Sequence, residues 1–414
     1  MFYLNPANDT VERLKPQQAL RSANLKLLFD LILSRQAENR AELARASGLS
    51  PAAVSALIDE LIFAGLIREA GTSTVHTGGG RRPINLVMDP TGAHFPVFSI
   101  GDCGISYTLL DLNAQILETI FRPCLQSGDN GILYGQIIED VLHRQSEYID
   151  LAKSPAILIS LPGVYLEEEK LFQLTGFDMT FSAEGFFGLE ERMGIPVFVG
   201  NASNALGYAQ LQHYHNLGTP VDELIYLNIC AGVGSGVLFA NQPAPHRGRL
   251  SGEIGHMIIS INGRPCPCGQ KGCLEQYVSI DAILAEVRDA ISQDTSGLYE
   301  NKLRDLLSET TLERIGQADA EGVVPVAQAL DRIAQRLFAG IYGMVNLTGI
   351  RRVVIGGIEA LGPNFLDRLR SHLSGEGYLM HGVSLCYADL PPESDARGVA
   401  RYYIDHAFSI KMRS

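Results

Sequence analysis

The sequence has no window of eighteen or more apolar residues, and its opening stretch, MFYLNPANDTVERLKP, has no basic segment leading into an apolar one. The first lack excludes a membrane-spanning helix and the second a secretory leader, so a cytoplasmic protein with no membrane partner is expected. Low-complexity segments and long linkers are also missing. Positive charge is scarce: 33 Lys and Arg face 46 Asp and Glu, a net charge of -13, and an acidic surface repels nucleic acid. The deficit is not spread evenly. Residues 1–90 carry ten basic against nine acidic side chains, a balance of +1, which leaves -14 for everything beyond. Any segment that grips an anion is therefore expected at the front.

What remains, 414 residues of which 46% are apolar, suffices for two or three domains with a sizeable core. The front reads as three helices and a hairpin. QQALRSANLKLLFDLILSR places Leu20, Asn24, Leu27, Leu28, Leu31 and Ile32 largely on one helical face. NRAELARAS is a short second helix ended by Gly48; Ser50 then caps and Pro51 opens a third, with Val54, Leu57, Ile58, Leu61 and Ile62 as its buried stripe. In GLIREAGTSTVHTGGGRRPINLVMD two short apolar runs flank a glycine-rich tip, the pattern of a two-stranded wing. Residues 1–90 thus form a winged helix-turn-helix. From about residue 95 strands alternate with helices, the α/β pattern. VFSIGDCGISYTLLDLNAQIL and LIYLNICAGVGSGVLFANQPA look like one strand, turn and strand unit used twice, which predicts two similar lobes with a cleft between them. The first lobe spans 91–200 and is completed by a C-terminal helix at 395–412, with Val399, Tyr403, Ala407 and Phe408 on one side; the second spans 201–394.

Seven cysteines in a reducing compartment are poor candidates for a disulfide framework, and three of them cluster in GHMIISINGRPCPCGQKGCLEQ. Cys266, Cys268 and Cys273, with Gly269 and Gly272 relaxing the backbone between them, can bring three thiolates to one point. A tetrahedral zinc needs a fourth ligand, and the nearest candidate upstream is His256. Three buried thiols beside a satisfied core histidine are the alternative. A site closed by four protein ligands leaves no position for a reacting water, so one Zn2+ per chain would be structural. Glu253 and Glu275 bracket the ligands. Fixed by a rigid loop they could accept hydrogen bonds from neighbouring hydroxyls of a sugar; otherwise they are solvated surface acids.

At SGEIGHM and CPCGQKGCLEQYVS the sequence closely resembles the ROK family, which contains sugar kinases and sugar-responsive transcriptional repressors. The resemblance runs over nearly the whole chain from about residue 15. RAELARASGLSPAAVSALIDELIFAGLIRE and GRRP are similar to the repressor branch, which includes the repressors of N-acetylglucosamine, glucose-uptake and xylose genes. It implies a two-lobed actin-like, ribonuclease-H-like sugar-kinase fold behind the winged head. It also implies that His256, Cys266, Cys268 and Cys273 bind zinc and that Glu253, His256 and Glu275 line a sugar site, His256 serving both. SLPG around Gly163 matches the place where family backbone meets the sugar, and Gln173, in FQLTGF, stands near the family's sugar-binding Asn. AGVGSG, at 231–236, resembles a phosphate loop, although a glycine-rich turn between strands is also a plain tight hairpin.

Two departures bear on chemistry. Active kinases of the family carry an Asp-x-Gly-Gly-Thr turn for ATP, where this chain offers Ser99, Gly101, Asp102 and Cys103. They also carry Asn-Asp-Ala-Asn, whose Asp takes the proton of the attacking hydroxyl. GNASNA keeps Asn201 as a sugar-site residue but puts Ala202, a methyl group, in place of the base. Phosphoryl transfer needs both a nucleotide cradle and a group to orient the nucleophile, so no kinase activity is expected. The lost charge and volume at Ala202 would also admit a phosphorylated or otherwise substituted sugar.

The third helix offers DNA only small residues, Ser50, Ala52, Ala53 and Ser55 among them, which allow close approach but few bidentate contacts. Arg40 and Arg45 could reach phosphates from the second helix, and Arg81 and Arg82, following three glycines, could enter a narrow minor groove. A front of only +1 binds weakly as one subunit, so a homodimer or homotetramer reading two half-sites of a double-stranded operator is expected. The sequence reads as a DNA-binding regulator, a repressor of carbohydrate-utilisation genes that answers to a sugar or sugar phosphate. An active sugar kinase with a DNA-binding head, and a regulator controlled by a transport protein in place of a sugar, are the alternatives.

Overall fold

The computed structural model describes residues 2–4, 16–72, 82–101, 104–123, 130–147, 150–174, 179–219, 221–239, 242–243, 252–373 and 380–408. After a short strand β1 (Phe2–Leu4), the front forms α1 (Pro16–Leu33), α2 (Arg40–Ser47) and α3 (Pro51–Phe63). Their ends are set by side-chain caps. Asn39 accepts from Glu42 N at 3.0 Å, Ser50 accepts from Ala53 N at 3.2 Å, and Gly48, at φ 71°, closes α2 in the left-handed region. Val54, Leu57, Ile58 and Leu61 are buried as their spacing predicts. In α1 the buried stripe is Leu25, Leu28, Phe29 and Ile32, while the expected Leu20 and Leu27 are exposed. This leucine-dense helix supports two overlapping stripes of helical period, and the one that inserts the Phe29 ring prevails.

Strands β2 (Ile67–Thr72) and β3 (Ile84–Met88) pair antiparallel, Ile67 opposite Met88, and form the hairpin. Its tip, with Arg81, lies outside the described residues. Arg40 departs from the reading that it reaches outward to phosphates. Its guanidinium donates to Asp59 and to Glu69, both at 2.8 Å, tying the start of α2 to α3 and β2.

The chain divides into two compact units, one of residues 2–160, 183–199 and 399–414, the other of 161–182 and 200–398. The first holds the front segment together with β4 (His94–Gly101), β5 (Gly104–Asp111), β6 (Ile116–Pro123), β7 (Ile157–Leu161) and β11 (Val197–Asn201), in the sheet order β1-β11-β7-β4-β5-β6. Helices α4 (Asn130–Gln145) and α5 (Glu184–Met193) pack together where Gly135 leaves no room for a Cβ against the Gly185 carbonyl. The chain's end returns here through α13 (Ser394–Tyr402) and a wide helical turn, Tyr403–Ala407. Phe408 meets Phe29 of α1 at 5.6 Å and Phe95 of β4 at 6.2 Å, and Lys26 donates to the Asp405 carbonyl at 2.9 Å.

The second unit repeats that strand order. Its main sheet runs β14 (Gln242–Pro243), β13 (Val233–Phe239), β12 (Leu224–Ile229), β15 (Arg352–Gly356), β16 (Ser384–Tyr387). Strand β12 is antiparallel to β13 and parallel to β15, as β4 is antiparallel to β5 and parallel to β7. The duplicated unit expected from the sequence is thus a duplicated topology. A small antiparallel sheet of β8 (Val164–Leu166), β9 (Leu171–Leu174) and β10 (Met179–Ser182) belongs to this unit too. Helix α6 (Ala202–Asn216) lies on β12 and β13, with Gly207 against Tyr226 and Leu238. The remaining helices are α7 (Glu275–Val278), α8 (Ile280–Ser292), α9 (Glu300–Ser308), α10 (Leu312–Ala320), α11 (Val324–Thr348) and α12 (Gly362–Leu373). The longest, α11, buries Leu330, Ile333, Leu337 and Ile341 in the core. No single helix among the described residues is long and apolar enough to cross a membrane.

His94, at the start of β4, has a buried Nδ1 without a hydrogen-bond partner among the described residues. Burial holds its pKa below the ordinary value, Lys153 adds to this, and Asp111 and Asp150 oppose it. The unfolded chain therefore takes up the proton more readily, and His94 favours the folded state above the ordinary histidine value and loses that contribution as pH falls below it. Denaturation midpoints measured at about pH 7.5 and about pH 5.5 are expected to drop less in His94→Gln than in the parent.

Candidate metal centre and ligand site

The cysteine loop is built on β13. Gly252 accepts from the Ser235 hydroxyl at 2.7 Å and from its amide at 3.2 Å, and Gly255 sits against the Val233 carbonyl with no space for a Cβ. This pins the single turn Ile254–His256. The chain then pairs Ile258 with Cys273 and Pro265 with Lys271, closing a compact loop. Gly272, at φ 78°, is required twice over: its conformation is left-handed, and a Cβ would collide with the Ser260 carbonyl.

Four side chains converge there. Ligand atoms of His256, Cys266, Cys268 and Cys273 all lie within 4.8 Å of one another. Cys266 Sγ is 3.6 Å from His256 Nδ1, and Cys268 Sγ is 3.6 Å from Cys273 Sγ. Ligands of a tetrahedral zinc, with Zn–S about 2.3 Å and Zn–N about 2.0 Å, are separated by about 3.5–3.8 Å, so the spacing suits such an ion and is far too long for a disulfide. Burial pushes the Cys266 and Cys273 thiols up, and Glu275 reinforces the shift in both. Thiolates in this place need a cation beside them. The cluster is thus a candidate site for a metal ion.

Glu275, the first residue of α7, is buried and accepts from Cys266 Sγ at 3.0 Å; its Oε1 is 3.6 Å from His256 Nδ1. The surface-acid alternative fails for Glu275, since 6% of it is exposed. Glu253 is half-buried and immediately precedes the His256 turn.

The other expected ligand residues gather at a second point. Asn201, at the end of β11, caps α6 by accepting from Asn204 N at 3.1 Å and donates through Nδ2 to the Gly163 carbonyl at 2.9 Å. Gly163 in turn abuts the Gln173 carbonyl so closely that a Cβ is excluded, while Gln173 pairs with Val164 and Thr180 in the small sheet. Strand β13 connects the two groups: Gly234 and Gly236 meet Ser203 in the first turn of α6, and Val233 and Ser235 meet Gly255 and Gly252. Ala202, in place of the base, is the first residue of α6, and Ser99 sits mid-strand in β4 opposite Ser106. Asp102 and Cys103 lie outside the described residues.

Of the residues expected at DNA, Arg45, Ser50, Ala52 and Arg82 are exposed, and Ala53 and Ser55 are half-buried on the first turns of α3. Sequence reasoning missed a cluster behind the cysteine loop. Arg264 and Arg336 both lie over the Tyr277 ring, and Glu286 pairs with Arg264, Arg332 and Arg336. Only the i, i+4 spacing of Arg332 and Arg336 could have signalled it.

Residues 135–399 match the ROK family. The xylose repressor of Bacillus subtilis strain 168 is 27% identical over 399 residues, 94% of this chain and 97% of its own length. The DNA-binding transcriptional dual regulator NagC of Escherichia coli K12 is 25% identical over 82% of this chain and 81% of its own. A crystal structure of a ROK family transcriptional regulator, a homologue of the E. coli MLC protein, superimposes with TM-score 0.75 at 23% identity, covering 94% of this chain and 96% of that one. A ROK family glucokinase from Streptomyces griseus, solved with glucose and AMPPNP, gives TM-score 0.58 at 21% identity over 73% of this chain and 97% of its own.

Substituting one buried ligand tests the cluster. Cys273→Ser is expected to reduce bound metal, measured by elemental analysis, from about one ion per chain to none. Its Tm is expected to fall by many degrees, because structural zinc contributes roughly 10 kcal/mol of apparent binding energy that becomes folding energy. An unchanged Tm with the metal gone would make the site dispensable to the fold.

Proposed function

The chain belongs to the ROK family, and from that premise we propose that it is a cytoplasmic, sugar-responsive transcriptional regulator. In this reading it represses carbohydrate-utilisation genes, binding double-stranded operator DNA through residues 1–90 as a homodimer or homotetramer. The observation that carries this is one chain bearing both a capped three-helix and hairpin head and a four-ligand cluster with a buried carboxylate beside it. Relatives named repressors align with it over nearly its full length.

His256, Cys266, Cys268 and Cys273 would hold one Zn2+, which braces the loop when bound and, with four protein ligands, leaves no open position for chemistry. This chain's own groups do the rest. Glu275 and Glu253 accept hydrogen bonds from sugar hydroxyls, and His256, with Nδ1 turned to the cluster, presents its other ring nitrogen. Asn201 already spends one N–H on Gly163 and one lone pair on Asn204, so among the described residues one N–H and one lone pair remain for ligand. Gly163 and Gln173 contribute the neighbouring backbone and amide. Ala202 leaves no carboxylate at the position of the kinase base and Ser99 none at the start of the nucleotide turn, and the protein senses its ligand without phosphorylating it.

On the DNA side, Ser50, Ala52, Ala53 and Ser55 lie on the groove-facing turn of α3, and Arg45, Arg81 and Arg82 take phosphates or the minor groove. Arg40 serves by fixing the head. Release of the operator requires only that the sugar bind more tightly to the state that does not hold DNA.

Thermal shift against free sugars and their 6-phosphates is expected to show one compound raising Tm by mass action, and that compound is expected to release bound operator. If no sugar stabilises the metal-loaded protein and a transport protein is captured instead, the sugar-sensor reading falls. ATP-dependent sugar phosphorylation above background would overturn the non-enzymatic one. Arg82→Ala is expected to weaken binding to all DNA sequences alike and to lower the slope of log K against log salt by about one.

A further inference from the structure

Behind the cysteine loop, three guanidinium groups surround one carboxylate. Glu286 of α8 accepts from Arg264 at 3.2 Å, from Arg332 at 2.8 Å and from Arg336 at 3.0 Å. Three positive charges against one leave a local surplus of +2, in the part of the chain whose overall balance is -14. Burial favours the protonated acid, but hydrogen bonds from Arg332 and Arg336 outweigh it and hold the Glu286 pKa below the ordinary range. The surplus is therefore permanent at neutral pH.

The arginines are oriented, not loosely solvated. The buried Tyr277 ring has Arg264 on it at 4.9 Å and Arg336 at 4.8 Å, and the Tyr277 hydroxyl accepts from the Arg264 amide at 2.8 Å. Arg264 also donates to the Gln276 carbonyl at 2.9 Å. Among the described residues Arg332 uses only Nε and Arg336 only one terminal nitrogen, so several N–H groups from a pre-set fork remain unspent while their side chains stay 45% and 29% exposed. A carboxylate that fixes guanidinium groups without neutralising them makes a receptor for a second anion, and planar forks suit the oxygens of phosphate.

We propose that Arg264, Arg332 and Arg336, oriented by Glu286 and Tyr277, form a binding site for a phosphate dianion, distinct from the residues assigned to the sugar. Arg264 lies in the segment that leads into Cys266 and is hydrogen-bonded to Tyr277 and Gln276 of α7, so an occupied site braces the cysteine loop from behind.

The test uses the full-length, metal-loaded protein. Tm is followed against inorganic phosphate and, separately, glucose 6-phosphate, with chloride at matched ionic strength as reference. The expected result is a saturable rise in Tm with one or both, lost in Arg332→Gln while metal content stays at the parent level. A response to inorganic phosphate identifies free phosphate as sufficient, and one confined to the sugar phosphate identifies a phosphomonoester. If Arg332→Gln fails to fold, Arg332→Lys serves: it keeps the charge and loses the fork, and half-saturation is expected to rise roughly tenfold. No response to either compound, or a response retained in the Arg332 variants, overturns the proposal.

Discussion

Two buried thiols packed beside a carboxylate cannot ionise unaided, and the ligand side of this protein depends on how that conflict is resolved. Burial and Glu275 both push Cys266 and Cys273 toward the neutral form. A divalent cation bound where the three sulfurs and the imidazole meet would reverse that preference. The loop's other fastenings are backbone pairs, glycine contacts with β13 and the burial of Ile254 and Leu274 in the core.

Strand β13 is where this constraint reaches the rest of the second unit. Its glycines admit the first turn of α6, and its Ser235 and Val233 hold the His256 turn. A side chain introduced at Gly234 or Gly236 would push on Ser203, next to the cap made by Asn201. The groups that would meet a sugar are therefore placed by close backbone approach more than by side-chain packing. Such placement is stiff, because backbone cannot choose another rotamer.

The legible parts of the sequence were those with a chemical or periodic signature. Capping by Ser50, the stripe of α3, the repeated strand unit and the four-residue His/Cys set could all be read directly, because each rests on a local rule. The face of α1 could not, since its leucines satisfy two stripes and only Phe29 against Phe408, far off in sequence, decides between them. The ion pairs of Arg40 were hidden for a related reason: an arginine on a surface helix looks outward until Asp59 and Glu69 are brought beside it. The three-arginine cluster draws on α8, α11 and the cysteine loop, and no single segment announces it.

The same strand order is built twice in this chain, and each copy has its own sheet and its own supporting helices. A fold built this way can change the chemistry of one position without losing its architecture, where the helices and sheets do not use that side chain for support. Position 202 is such a place. Asn201 still caps α6, and alanine at the first helical position is as good a helix former as any residue that could stand there. The side chain at position 202 is thus independent of the scaffold, and a substitution there is one that the helix does not register.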